Sequence, residues 1–291
     1  MASKLDSILN RMKNVDDEVI ERDLIAMIYG ESGAGKTTLV AGLAQKLKRK
    51  GTKILLADSS DGWVSLENKK ALTKDMILFP IGDPSDLPQI ADAIEKKRKG
   101  FEKISVVIID EGSSVAAEIL EQVARMRAGS APSDPLPEIE GKDYGPAGQV
   151  FLSMVAKFHR IKGLHVIVVA HNREKAEENN GPVINRPNFP PLLLTNLMGK
   201  MHVVAYVSAR RTPKGEYVRE VQSQPSALVR AKSRLAGLPV KTSFGDFVTK
   251  VSNWVGSEQF GPDVDGEEPQ TAPVEDPEEQ EPQATDGDLD I

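Results

Sequence analysis

The sequence predicts an α/β fold: a mostly parallel sheet flanked by helices, with a C-terminal antiparallel hairpin extension. Three observations predict it. Near-continuous apolar runs recur at 24–29, 53–58, 76–81, 104–110 and 164–170, as expected of strands buried on both faces. Helical periods separate them near 36–50, 86–99, 115–128 and 145–162, and such alternation places helices over both faces of a sheet. After residue 200 the period falls to two: "MHVVAYVSARRTPKGEYVREVQSQ" reads as two alternating runs about a "TPKG" turn.

Taken in order, residues 4–16 come first, with Leu5, Ile8, Leu9, Met12 and Val15 on one helical face. Residues 1–20 are therefore read as an N-terminal amphipathic helix, able to pack on this chain or on a neighbouring subunit. Residues 21–255 carry the alternating core. A short run, "ALVRAK", follows the hairpin, and a last helix reads at about 243–255. Residues 256–291 are rich in Pro, Glu, Asp and Gln, and cannot bury enough apolar surface to fold.

Composition bounds the function. There is no cysteine among the 291 residues, which excludes disulfides, thiol catalysis and Cys-based zinc sites and suits a cytoplasmic protein. No stretch of about 18 apolar residues exists, so no membrane span is expected. The net charge of −6 hides a division: all 37 basic residues lie within 1–250, where 30 acidic residues leave a net +7, and thirteen acidic residues follow. A basic body with an acidic tail points to a nucleic-acid partner or to a solubilising tail.

The first strand runs into "YGESGAGKTTL", which fits G-x-x-x-x-G-K-[ST] from Gly30 to Thr37. Gly30, Gly33 and Gly35 allow close backbone approach, and the turn opens a helix whose free N–H groups face an anion. Lys36 supplies charge to the β- and γ-phosphates of a nucleoside triphosphate, and the Thr37 hydroxyl suits Mg²⁺. Residues 30–38, including Glu31, Ser32, Ala34 and Thr38, are thus expected to hold the nucleotide.

"VVIIDEGSS" at 106–114 ends a buried run in two carboxylates. Asp110 is read as the residue that holds Mg²⁺, and Glu111 as a candidate to orient or deprotonate the attacking water. Asp61, in "LLADSSDGW", competes for that role. The strand ending "VIVVAHNREK" puts His171 and Asn172 where they can report a γ-phosphate. The following stretch, 173–193, reads as a long loop with Arg173, Lys175 and Arg186 as candidate DNA contacts. A second long loop, 128–142, is acidic. In "LVRAKSRLAGLP", Lys232 and Arg234 alternate on one short strand and so point the same way.

Together "GESGAGKTT", "VVIIDEGSS", "DYGPAGQVFLSMVAKFHRI", the "AHNRE" strand end, the hairpin and "RAKSRLAGLP" make residues 23 to about 250 resemble the phage-encoded RecA-like P-loop ATPases of the AAA type that assist single-strand annealing and recombination. The resemblance implies ATP and Mg²⁺ as cofactors and single-stranded DNA as a ligand. It also implies a homo-oligomeric ring or filament with nucleotide at the subunit interface, and a single-stranded DNA-binding or annealing protein as partner. In such assemblies Lys232 and Arg234 would reach into the neighbouring subunit's nucleotide. The location it implies is a host cytoplasm. The sequence departs from the pattern in having no glutamate at the turn after the second strand, which leaves Glu111 and Asp61 both open as the base. A helicase-like or DNA-packaging motor on the same fold stays open, as does a small-molecule kinase, although "HNREKAEENN" is a poor match to an Arg-rich kinase lid.

Overall fold

The computed structural model describes residues 23–68, 71–176, 182–213, 215 and 217–256. The amphipathic helix expected over 1–20 and the acidic segment 257–291 lie outside the described residues. The strands are β1 (Ile25–Gly30), β2 (Lys53–Asp58), β3 (Met76–Pro80), β4 (Ile104–Asp110), β5 (His165–Ala176), β6 (Val183–Pro187), β7 (Val203–Arg211), β8 (Tyr217–Gln222), β9 (Lys232–Ser233) and β10 (Lys241–Thr242). The helices are α1 (Lys36–Leu47), α2 (Val64–Asn68), α3 (Asp86–Glu95), α4 (Gly112–Ala128), α5 (Tyr144–His159), α6 (Pro191–Lys200) and α7 (Phe244–Gly256).

The sheet runs β10-β8-β7-β1-β5-β4-β2-β3. Its six strands from β7 to β3 are mutually parallel, and β8 and β10 extend it antiparallel. β9 pairs antiparallel with the start of β7. The arrangement is the mostly parallel sheet with a C-terminal antiparallel extension that the alternation of apolar runs predicts.

The alternation of side chains along each strand builds two cores, one per face. On one face Ile25, Met27 and Tyr29 of β1 meet Leu87, Ile90, Val115, Ile119, Phe151 and Leu193 of α3, α4, α5 and α6. On the other, Ala26 and Ile28 meet Leu39, Val40 and Leu43 of α1, Leu66 of α2, and Phe247 and Val251 of α7. Each fully buried Phe or Leu contributes on the order of 2–3 kcal/mol. This sandwiching keeps the strand tips fixed, and the tips carry the chemistry.

The stretch read as one long loop, 173–193, differs from expectation. β5 continues to Ala176 and pairs antiparallel with β6, giving a two-stranded ribbon beyond the sheet, and α6 then begins at Pro191 with proline in its first turn. Phe189, within that stretch, belongs to the core. It is 1% exposed and packs on Phe151, ring centroids 5.4 Å apart. The 129–140 segment is without regular structure, as expected. Arg127 fastens it, donating to Glu138 O at 2.6 Å and to Asp143 Oδ1 at 2.8 Å, with Glu140 also paired.

Candidate active site

A cleft of about 540 Å³ opens at the C-terminal tips of β1, β2, β4 and β5, lined by Ser32, Gly33, Gly35, Lys36, Thr37 and Thr38, by Ser60, Asp61, Gly62, Val64 and Ser65, and by Glu111 and His171. Gly35 stands at the start of α1 with φ 97°, a left-handed conformation that most residues resist. No side chain caps that helix end and its first turn holds no acidic residue, so its free N–H groups and positive dipole end are available to phosphate. Lys36 is only 6% exposed. Its Nζ donates to Glu31 O at 3.0 Å, and burial draws its pKa below the usual lysine range, against the pull of Glu111 and Asp110.

Thr37 Oγ1 donates to Asp110 Oδ2 at 3.1 Å, joining the helix start to the end of β4. Asp110 is 1% exposed. Burial, then the charges of Asp58 and Glu111, push its pKa to about 7. A hydroxyl and a carboxylate so placed fit Mg²⁺, which takes one or two protein oxygens and keeps water and phosphate for the rest. The raised pKa marks a site short of positive charge. When bound, the ion would neutralise charge on the phosphates.

Glu111 sits at φ 60° and Asp61 at φ 56°; with Lys97 they are the non-glycine residues of positive φ among the described residues. Such strain persists only where the surroundings impose it and often attends function. The two candidate bases differ in setting. Glu111 is 7% exposed, and His171 Nε2 lies 2.7 Å from its Oε2. That approach lacks hydrogen-bond alignment, and Oε2 is left buried with no donor. Burial raises the Glu111 pKa, Lys36 opposes it, and Asp58 adds to the rise. His171 is pushed down by burial and by Lys36, which favours neutral imidazole. Asp61 is exposed and receives Trp63 Nε1 at 3.3 Å.

The structure thus brings together the phosphate loop, Asp110, Glu111, Asp61 and His171. Asn172 faces the other way, its Nδ2 donating to Asn185 Oδ1 at 2.7 Å, as strand alternation requires. Lys232 and Arg234 lie outside the cleft. Lys232 Nζ donates to Met198 O at 2.7 Å and Arg234 Nη2 to Gly199 O at 2.6 Å, so both cap the C-terminal end of α6 in their own chain. Arg173 and Arg186 face each other in the β5–β6 ribbon. The Lys175 side chain lies outside the described residues.

Sequence reasoning missed Asp58. It ends β2 in register with Asp110 and is 3% exposed. Its Oδ1 accepts from Ser60 N at 2.8 Å and its Oδ2 from Trp63 N at 2.9 Å, which shapes the turn carrying Asp61. A Cβ at Gly62 would come within 2.9 Å of Asp110 Oδ2, so only glycine lets this turn press on that carboxylate. The signal was present: "LLAD" ends as "VIID" does, in a buried run closed by aspartate. Ser113 was also passed over; its Oγ accepts from His171 N at 3.1 Å.

A nucleotide-sized cleft with a lysine at a helix start, a Thr–Asp pair suited to Mg²⁺ and a buried glutamate beside them defines a P-loop NTPase. Residues 22–235 match the AAA domain family, and the chain belongs to it. Among curated relatives it is similar to the DNA repair and recombination protein RadB of Methanococcoides burtonii, 26% identical over 119 residues, covering 38% of this chain and 52% of RadB. It is also similar to the signal recognition particle protein of Synechococcus elongatus, 29% identical over 147 residues, covering 48% of this chain and 29% of that one. The chain thus spans about half of the first relative and less of the second. Among solved structures, the flagellar accessory protein FlaH of Methanocaldococcus jannaschii is similar over 68% of this chain and 76% of its own, with 17% identity and a TM-score of 0.35. No helix among the described residues is long and apolar enough to cross a membrane.

Proposed function

We propose that this chain is an ATPase that uses Mg²⁺, binds single-stranded DNA and acts in strand annealing or recombination, as a ring or filament with nucleotide at the subunit interface. The observation that carries the hydrolytic part is the convergence of Lys36, Thr37–Asp110 and Glu111 on one cleft. Lys36 and the α1 N–H groups would hold the phosphates. Glu111, which lines the cleft and whose Oε2 is buried without a hydrogen-bond donor, would orient the attacking water and take its proton. His171, within reach of Glu111, would sense the γ-phosphate. The choice of ATP rests on the resemblance to RecA-like ATPases, and the DNA part on the basic body and on the likeness to RadB, whose name assigns it to DNA repair and recombination.

The test measures phosphate release from ATP and GTP with Mg²⁺, with and without single-stranded DNA, alongside a size measurement. Turnover of ATP in preference to GTP, faster with DNA and in an oligomer, is expected. Turnover indifferent to DNA would remove the recombination reading and keep the hydrolase. Strand displacement would point instead to a helicase-like motor.

A further inference from the structure

Three arginines meet beyond the sheet, outside the nucleotide cleft. Arg173 and Arg186 are directly opposed across β5 and β6, so their side chains share one face. Arg230 joins them from the segment before β9, its amide donating to Asn185 O at 2.9 Å. Burial and then the charges of Arg173 and Arg230 weaken the basicity of Arg186. Arg186 Nε is buried without an acceptor, and no carboxylate pairs with any of the three among the described residues.

Opposed like charges destabilise a strand pair, and a buried donor without an acceptor costs more. The fold nevertheless pins these groups in place. Tyr29, the residue before Gly30, shares its hydroxyl between Arg230 O at 2.8 Å and Asn185 O at 3.2 Å, and its phenol is pushed far above the usual range by burial. Asn188 N donates to His171 O at 2.9 Å. The platform is thus fixed to β1 and β5, the strands that carry the phosphate loop and His171. A cost retained on so firm a base calls for an anion to offset it.

We propose that Arg173, Arg186 and Arg230 form a composite site for the phosphodiester backbone of a nucleic-acid strand, held without reading its bases. This rests on the DNA part of the proposed function and names the residues that serve it. Guanidinium forks match phosphate oxygens in pairs. Phe189, the one aromatic residue between 171 and 190, is buried in the core and offers no ring for base stacking. The nucleotide's own phosphates have Lys36, and none of the three arginines lines that cleft.

The experiment uses the full chain with fluorescein-labelled oligothymidylate and oligoadenylate of equal length, read by anisotropy over a salt series. Each phosphate contact on a single strand adds about 0.7 to the slope of log K against log salt. The combined variant R173Q/R186Q/R230Q is expected to flatten that slope by about 2 and to weaken binding at least about tenfold at low salt, equally for both oligonucleotides. R230K is expected to keep the slope and lose affinity, since lysine keeps the charge and lacks the fork. R173Q is expected to melt no lower than the parent, because it relieves repulsion. If the combined variant does not fold, R173Q and R230Q, both at exposed positions, are each expected to flatten the slope by about 0.7. Folded variants with the parental slope and affinity would overturn the site and leave DNA binding standing. A strong preference for one oligonucleotide would overturn backbone-only contact. A parent protein that hydrolyses nucleotide but binds neither oligonucleotide would overturn both the site and the DNA reading.

Discussion

Replacing Asp110 by asparagine is expected to stabilise the nucleotide-free protein while removing turnover. Burial and the charges of Asp58 and Glu111 lift the Asp110 pKa from 3.8 to about 7. A pKa unit corresponds to about 1.4 kcal/mol, so the ionised carboxylate costs the fold up to about 4 kcal/mol. Because the three carboxylates share their repulsion, removing one charge should recover about 2–4 kcal/mol. The sign follows from linkage. The folded pKa is raised, so below about pH 4 the group is protonated in both states and carries no penalty; the penalty grows as pH rises and is full above about pH 8. Asparagine keeps an acceptor for the Glu111 amide and can still bond Thr37. At roughly 2–4 °C per kcal/mol for a body of this size, the variant should melt about 5–15 °C higher at pH 8 and show little gain at pH 4. Scanning calorimetry of both proteins across that range is the assay. Mg²⁺-nucleotide should then stabilise the parent more than the variant, whose Lys36 and α1 N–H groups still meet the phosphates, through mass action on the folded state. A variant that melts lower than the parent at pH 8, or whose gain is the same at pH 4, would refute the reasoning.

Lys36→Ala should weaken nucleotide binding by about 10- to 100-fold through loss of a charged phosphate contact, checked by calorimetric titration, with the fold retained. Glu111→Gln should keep nucleotide binding and lose about 10²- to 10⁴-fold in turnover, the range for a general base, whereas Asp61→Asn, which alters an exposed group tied to Trp63, should lose less; the reverse order in phosphate-release assays would move the base to Asp61. Arg234→Ala should bind nucleotide yet lose hydrolysis if the arginine serves a neighbouring subunit. Mixing it with Lys36→Ala subunits should then restore some activity, and no recovery in a demonstrably exchanging assembly would count against that arrangement. Deleting residues 257–291, which hold all thirteen acidic residues that follow Lys250, should tighten single-stranded DNA binding, most at low salt, because screening weakens charge competition; equal affinities at low salt would rule out an inhibitory tail.

The parallel core was legible because its strands are buried on both faces and leave runs such as "LIAMIY" and "SVVIID" that few other structures explain. The phosphate loop and the Asp110–Glu111 pair were legible because their chemistry needs fixed residue types at fixed spacing. The β5–β6 ribbon was not. Its strands, "HNREKA" and "VINRP", are mostly polar, and the adjacent Val183 and Ile184 fall on opposite faces, so no hydrophobic period marks them. Its one sign was turn chemistry, Asn180-Gly181 between two extended runs. Arg230 could not be assigned at all, since its place depends on a pairing with Asn185 that lies 45 residues away.

The position of His171 within β5 explains why the strand should matter as a whole. It pairs with β4 as far as Val168 and with β1 as far as His171, and from Asn172 it pairs with β6. His171 is the last residue paired with β1, opposite Gly30, and is in contact with Glu111 through its ring, with Ser113 through its amide and with Asn188 through its carbonyl. A substitution that keeps a polar hydrogen-bonding group but not the imidazole's acid–base chemistry separates its roles. His171→Asn should leave the ribbon in place, since the amide and carbonyl bonds are main-chain, and should change turnover more than nucleotide affinity.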